Sequence, residues 1–177
     1  MKCYLTATAV LLALLIFSAP ATAQKVSWTD RFQFNGDFRL RYERIDEELE
    51  IERNRMRFRS RFGFSARLSD DVKFVLRLAT GGGNPVSTNQ TFDNGFSTKD
   101  IGLDFAYIDW QISDSLNFYG GKMKNPLFMA GNVPLVWGSD LNPEGFALKY
   151  SSDRFFGTVG GFVVEERGSA DDSLFYA

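Results

Sequence analysis

The 177-residue sequence contains no histidine. That absence excludes a Ser-His-Asp triad and any histidine-containing metal site. Cysteine is nearly absent too. The single one, Cys3, stands within the first few residues, so neither a disulfide framework nor a cysteine-based metal cluster is available. After residue 17 no apolar run approaches the roughly 18 residues of a spanning helix. No G-x-S-x-G elbow and no phosphate-loop pattern occurs. Charge is nearly balanced, with 20 basic and 22 acidic residues. Nothing in that balance calls for nucleic acid or an anionic surface as a partner. Aromatic residues, by contrast, are plentiful, with 18 phenylalanines.

The amino terminus has the layout of an export signal. Lys2 is followed by an apolar run from Leu5 to Phe17 and a small-residue stretch ending Ala21-Thr22-Ala23. Residues 1–23 therefore read as a secretory signal peptide cut before Gln24. The competing reading is an anchor helix. A run of 13 apolar residues falls short of the roughly 20 that span a bilayer. Removal of residues 1–23 takes Cys3 with them and leaves 24–177, with 19 basic and 22 acidic residues.

The exported part alternates with period two. Phe32, Phe34, Gly36, Phe38, Leu40 and Tyr42 form one row, and Gln33, Asn35, Asp37, Arg39, Arg41 and Glu43 the other. The next segment repeats it. Met56, Phe58, Ser60, Phe62, Phe64, Ala66 and Leu68 oppose Arg53, Arg55, Arg57, Arg59, Arg61 and Arg67. A helix would scatter these arginines, whereas a strand gathers them on one side. Val72, Phe74, Leu76 and Leu78 continue the apolar row against Lys73 and Arg77. Within 101–112 the phase slips, which predicts a β-bulge near Tyr107 or Ile108. Further strands are expected over 116–123, from Phe146 to Tyr150, and along the row Phe156, Thr158, Gly160, Phe162 and Val164. The start of another is expected at Ser173. Gly120-Gly121 leaves the direction of Lys122 open.

The links alternate in length. Ser69-Asp70-Asp71, Ser113-Asp114-Ser115 and Ser151-Ser152-Asp153-Arg154 are tight polar turns. Residues 45–53, 81–100, 124–143 and about 166–172 are long. Alternation alone fits a soluble barrel with apolar residues inside just as well. Short turns at one end and long loops at the other are the habit of outer-membrane barrels. Phe32, Phe34, Trp110, Phe118, Tyr150, Phe155 and Phe156 cluster beside the short turns, as an interfacial girdle would. The acid-rich segment 46–52 could hold divalent cations at a lipopolysaccharide surface, although a solvated loop is the simpler reading. Asn89-Gln90-Thr91 matches a glycosylation sequon, a pattern common by chance, and Gly81-Gly82-Gly83-Asn84 reads as a flexible loop opening.

The arginine row is the strongest constellation. Neighbours two apart stand about 6.5–7 Å from one another, inside a Debye length of about 8 Å. Their fields add. A phosphate-binding stripe for nucleic acid is argued against by export and by the acidic balance. A water-filled lumen explains the row better, because charged lumen groups stay hydrated. The expected pore-lining residues are Asp37, Arg39, Arg41, Glu43, Arg55, Arg57, Arg59, Arg61, Arg67, Lys73 and Arg77.

The segments D-I-G-L-D-F-A-Y-I-D-W (100–110), G-K-M-K-N-P (121–126) and D-L-N-P-E-G (140–145), with N-G-D-F-R-L-R-Y-E-R (35–44), resemble the "putative porin" family of Gram-negative outer membranes. The resemblance implies a barrel of about sixteen or more strands, passive diffusion of ions and small hydrophilic solutes, and homotrimers. It also implies that the third long loop, 124–143, folds inward. Asn125 and Pro126 would enter that constriction, with Asp140 and Glu144 in the loop or at its exit. It supplies no catalytic residue and no cofactor. The expectation is therefore an all-β, antiparallel up-and-down transmembrane barrel. Residues 24–177 would be its N-terminal portion, an incomplete wall of seven to eight strands. Its partners would be outer-membrane lipid, lipopolysaccharide and small solutes, not nucleic acid. Two alternatives remain open: a non-conducting structural or adhesive outer-membrane barrel, and a soluble periplasmic ligand-binding barrel.

Overall fold

A computed structural model describes residues 27–133, 136–138, 140–168 and 173–177. The expected signal peptide, 1–23, and its cleavage before Gln24 lie outside the described residues. A 3-10 turn, Trp28–Arg31, opens the described chain. Its capping box joins Ser27 and Asp30. Nine strands follow: β1 Phe32–Ile45, β2 Arg53–Arg67, β3 Val72–Thr80, β4 Gln90–Thr91, β5 Ile101–Ser113, β6 Leu116–Lys122, β7 Glu144–Ser151, β8 Phe156–Glu165 and β9 Ser173–Tyr176. All belong to one antiparallel sheet in the order β1-β2-β3-β5-β6-β7-β8-β9. The sheet is open, with β1 and β9 at its edges, so the strands form an incomplete up-and-down barrel wall.

Strand β4 is an interruption of the meander. Strand β3 pairs with β2 from Arg67 to Arg61 and then leaves. The chain makes an excursion over 81–89 and resumes pairing with β2 at Arg57 and Phe58. The gap would leave the Ser60 amide without a partner. The Thr80 hydroxyl accepts from it at 3.0 Å and donates to the Thr88 carbonyl at 3.1 Å. Buried backbone donors need such a partner, and here it also pins both ends of the excursion.

Register assigns the two faces. Phe34 stands opposite Phe64, Leu40 opposite Phe58 and Tyr42 opposite Met56. Across the sheet, Leu76, Ala106, Ile108, Trp110, Phe118, Phe146, Leu148, Val159, Val163 and Leu174 continue the same face. This face looks outward. Phe38 is 70% exposed, Phe62 58% and Phe146 53%. Monomeric soluble proteins rarely leave so broad an apolar patch uncovered. A soluble ligand-binding barrel would turn these side chains inward. The eleven residues from Phe32 to Tyr42 extend about 33 Å along the strand. A tilt of about 40° reduces that to roughly 25 Å, the height of the apolar band on a membrane barrel. Among the described strand residues, charged side chains meet this face only toward the long links, at Arg44, Lys122 and Glu144.

The bulge lies elsewhere than expected. The register between β3 and β5 shifts between Arg77 and Leu78, which face Phe105 and Leu103. Asp104 is the extra residue, three or four positions before Tyr107 and Ile108. Its carboxylate is drawn to Arg77 and Asn142, and this sets the break. The row Phe156, Thr158, Gly160 and Phe162 also differs from the outward rows. It shares the inner face with Ala147 and Lys149, while Val159, Gly161 and Val163 point outward. Phe156 is therefore not part of an outward girdle. Its ring meets Phe128 at 4.8 Å. Phe32, Phe34 and Trp110 do lie outward beside the short turns, in ring contact with Trp28, Phe62, Phe64 and Phe118.

Candidate functional site

The inner face of β1 and β2 is built from arginine. Antiparallel pairing sets Arg39 directly opposite Arg59 and Arg41 directly opposite Arg57. Like charges in such positions destabilise a sheet. Two carboxylates hold the row together. Asp37 accepts from Arg59 at 2.7 Å and from Arg61 at 2.6 Å. Glu43 accepts from Arg41 and Arg55, both at 2.5 Å, and from Arg57 at 3.4 Å. Six guanidiniums thus face two carboxylates, and the patch keeps a strong positive excess.

The row continues on β3 and β5. Arg77 donates to Asp104 at 2.6 Å and lies 4.2 Å above the Phe105 ring. Asn142 closes this group by donating to the Asp104 carboxylate at 2.6 Å. Arg67 pairs in register with Lys73, and Lys73 with Asp109. Both basic residues stand near the short turns, beside Asp30 and Gln33. All eleven residues expected to line a pore therefore share one face, opposite the exposed apolar one.

Two links fold onto this charged face. The excursion 81–89 brings Asn89 to the arginines: Arg39 donates to its side-chain oxygen at 2.5 Å, and Arg57 to its backbone carbonyl at 2.8 Å. The link after β6 follows the inner face toward the short turns. The Asn125 side chain accepts from the Leu127 amide at 3.0 Å, and the Pro126 carbonyl accepts from Thr158 at 3.2 Å. A cavity of about 220 Å³ separates Asn125, Pro126 and Leu127 from Tyr107, Tyr119 and Lys149. The returning half is anchored by Trp137, whose ring meets Phe162 at 5.3 Å and Phe175 at 4.8 Å. Met123, Ala147 and Phe162 form the buried cluster below it.

The four residues expected in a constriction loop have different settings. Asn125 and Pro126 lie in the link on the inner face. Asp140 lines a second cavity, of about 330 Å³, between that link and the 81–89 excursion. Glu144 is the first residue of β7 and accepts from Lys122 at 2.8 Å. Lys122 pairs in register with Ala106 and Glu144, on the outward side of the sheet at its long-link end. Gly121, at φ +125°, provides the backbone turn, and any Cβ there would stand 2.5 Å from the Ala106 carbonyl oxygen.

The family described as "Putative porin" matches residues 45–175. The chain belongs to this porin family. Membership carries a porin-like role and a place in the outer membrane. The matched stretch takes in β2 to β8, the excursion that holds Asn89, and the link from Asn125 to Asp140. No curated protein matches the chain.

Sequence reasoning missed Asn89, Ser87, Asp104, Asn142 and Trp137. Asn89 stood in a polar loop, where nothing in the pattern separates a wall contact from a solvated amide.

Proposed function

We propose that the charged face lines a water-filled channel through which ions and small hydrophilic solutes diffuse passively. The observation that carries this reading is the pairing of an exposed apolar face with an arginine-rich face onto which two links fold. On the lipid side, arginine costs about 2–4 kcal/mol at mid-bilayer, whereas on a wet lumen side it stays hydrated. Asp37, Arg39, Arg41, Glu43, Arg55, Arg57, Arg59 and Arg61 are the proposed wall of the narrow part. Arg67, Lys73 and Arg77 continue it. Asn125, Pro126 and Asp140 are proposed to belong to the inward loop, with Glu144 at its exit.

The mechanism is electrostatic. Positive charge is concentrated on β1 and β2 and Asp140 stands in the inward link, so the proposed field runs transverse to the permeation path. Low-dielectric protein behind the arginines limits screening on that side. Anions are drawn to the positive wall, and dipolar solutes orient in the field. No catalytic step is part of this reading, and no cofactor. Export with cleavage before Gln24, contact with lipopolysaccharide and assembly into a homotrimer belong to the same proposal. The test is single-channel recording of the full-length protein in planar lipid bilayers. Stepwise ohmic conductance is expected. A pure, folded protein that produces no steps would favour a non-conducting structural or adhesive barrel.

A further inference from the structure

We infer that Asn89 sets the charge selectivity of this channel by giving Arg39 a neutral partner where its neighbours Arg41, Arg57, Arg59 and Arg61 have carboxylates. The inference rests on the channel reading and adds a specificity-determining residue from the second long link. Of the six arginines in the middle of this face, Arg39, Arg41, Arg55, Arg57, Arg59 and Arg61, all but Arg39 pair with Asp37 or Glu43. Arg39 has no carboxylate within ion-pair distance among the described residues. Its guanidinium instead donates to the Asn89 side-chain oxygen at 2.5 Å.

Asn89 is itself 8% exposed. Its side-chain amide donates to Ser87 at 3.1 Å, and its backbone carbonyl takes the Arg57 guanidinium at 2.8 Å. One residue therefore joins arginines of both strands without supplying a charge. Acceptors are scarce around it. The buried Nε–H groups of Arg39, Arg41 and Arg57 have no partner among the described residues. A buried donor without an acceptor is costly, and so is a charge without a countercharge. A carboxylate at position 89 would supply Arg39 with the missing countercharge, and its absence leaves the middle of the row positive. Asp140, the carboxylate of the other link, lines the cavity beside the 81–89 excursion and makes no ion pair with Arg39. The positive and negative sides of the field are thus kept apart instead of collapsing into a direct ion pair.

The test is the N89D substitution, nearly the same size and shape as the native side chain, in the full-length protein. Reversal potentials are read under a salt gradient at low ionic strength. The added carboxylate brings the row to six guanidiniums and three carboxylates. The anion-over-cation permeability ratio should fall by roughly two- to fivefold, the scale of one unit charge in partly hydrated surroundings. R39Q removes the charge from the other side of the contact and should shift the ratio in the same direction. In the R39Q background, N89D should lower the ratio further, because its charge then lacks the Arg39 guanidinium to offset it. Conducting N89D channels with the wild-type ratio would overturn the role of Asn89 while leaving the channel reading intact. A wild-type protein that forms no channel would overturn both.

Discussion

At the residue scale, the most informative feature is a local conflict. Placing Arg39 against Arg59 and Arg41 against Arg57 goes against sheet stability. Only Asp37 and Glu43 offset it within the two strands. A face whose sole task was to hold β1 to β2 would alternate signs. This one concentrates a single sign, and that points to work done on solutes. R57E/R59E reverses the middle of the wall, taking away two positive charges and adding two negative ones. The reversal potential of the double variant should move to cation preference at low salt, and the change should shrink as salt is raised. A folded double variant with unaltered selectivity would remove these two arginines from the permeation path.

At the element scale, the strands were legible and the links were not. Period two over 32–44 and 54–68 identifies β1 and β2 and sorts their faces, because each side chain has only two directions to choose from. The same rule placed every expected pore-lining residue on one side. It failed where side-chain chemistry overrides the period. Asp104 is pulled out of phase by Arg77 and Asn142, partners 27 and 38 residues away in the chain. Strand β4 is two residues long, too short to have a period. Phe162 stands in an alternating row like the other strand aromatics, but it is 1% exposed under the link that Trp137 anchors. Local pattern holds no information about which loop covers which wall.

The link itself gives the prediction at this scale. W137A removes two aromatic contacts, each worth about 0.5–1.5 kcal/mol beyond simple burial. The returning half of the link should loosen from β8 and β9. Single-channel current should rise or become noisier, with little change in reversal potential, because the arginine wall is untouched. Traces indistinguishable from wild type would show that Trp137 does not hold a narrowing element in place.

At the scale of the whole molecule, the two faces of one sheet need two different solvents. Leaving Phe38, Leu40, Phe62 and Phe146 exposed to water would forgo about 1.5–3 kcal/mol for each large side chain that burial could gain. Hydrocarbon removes that deficit, and the family's place in the outer membrane supplies it. L40R sits in the middle of the outward band of β1 and should cost about 2–4 kcal/mol of folding stability in lipid. Refolding into bilayers, followed by urea titration, would measure it. A variant as stable as wild type would mean that Leu40 does not meet lipid.

The claim that joins all three scales is that the arginine face meets water and the aromatic face meets lipid. Single-cysteine accessibility in the conducting full-length protein tests it most directly, in a C3S background. R57C and R59C should react from the aqueous phase with a small, membrane-impermeant, negatively charged thiol reagent and change the channel current. F38C and F62C should not react. Rapid labelling of F38C and F62C, with R57C and R59C inert, would contradict the account.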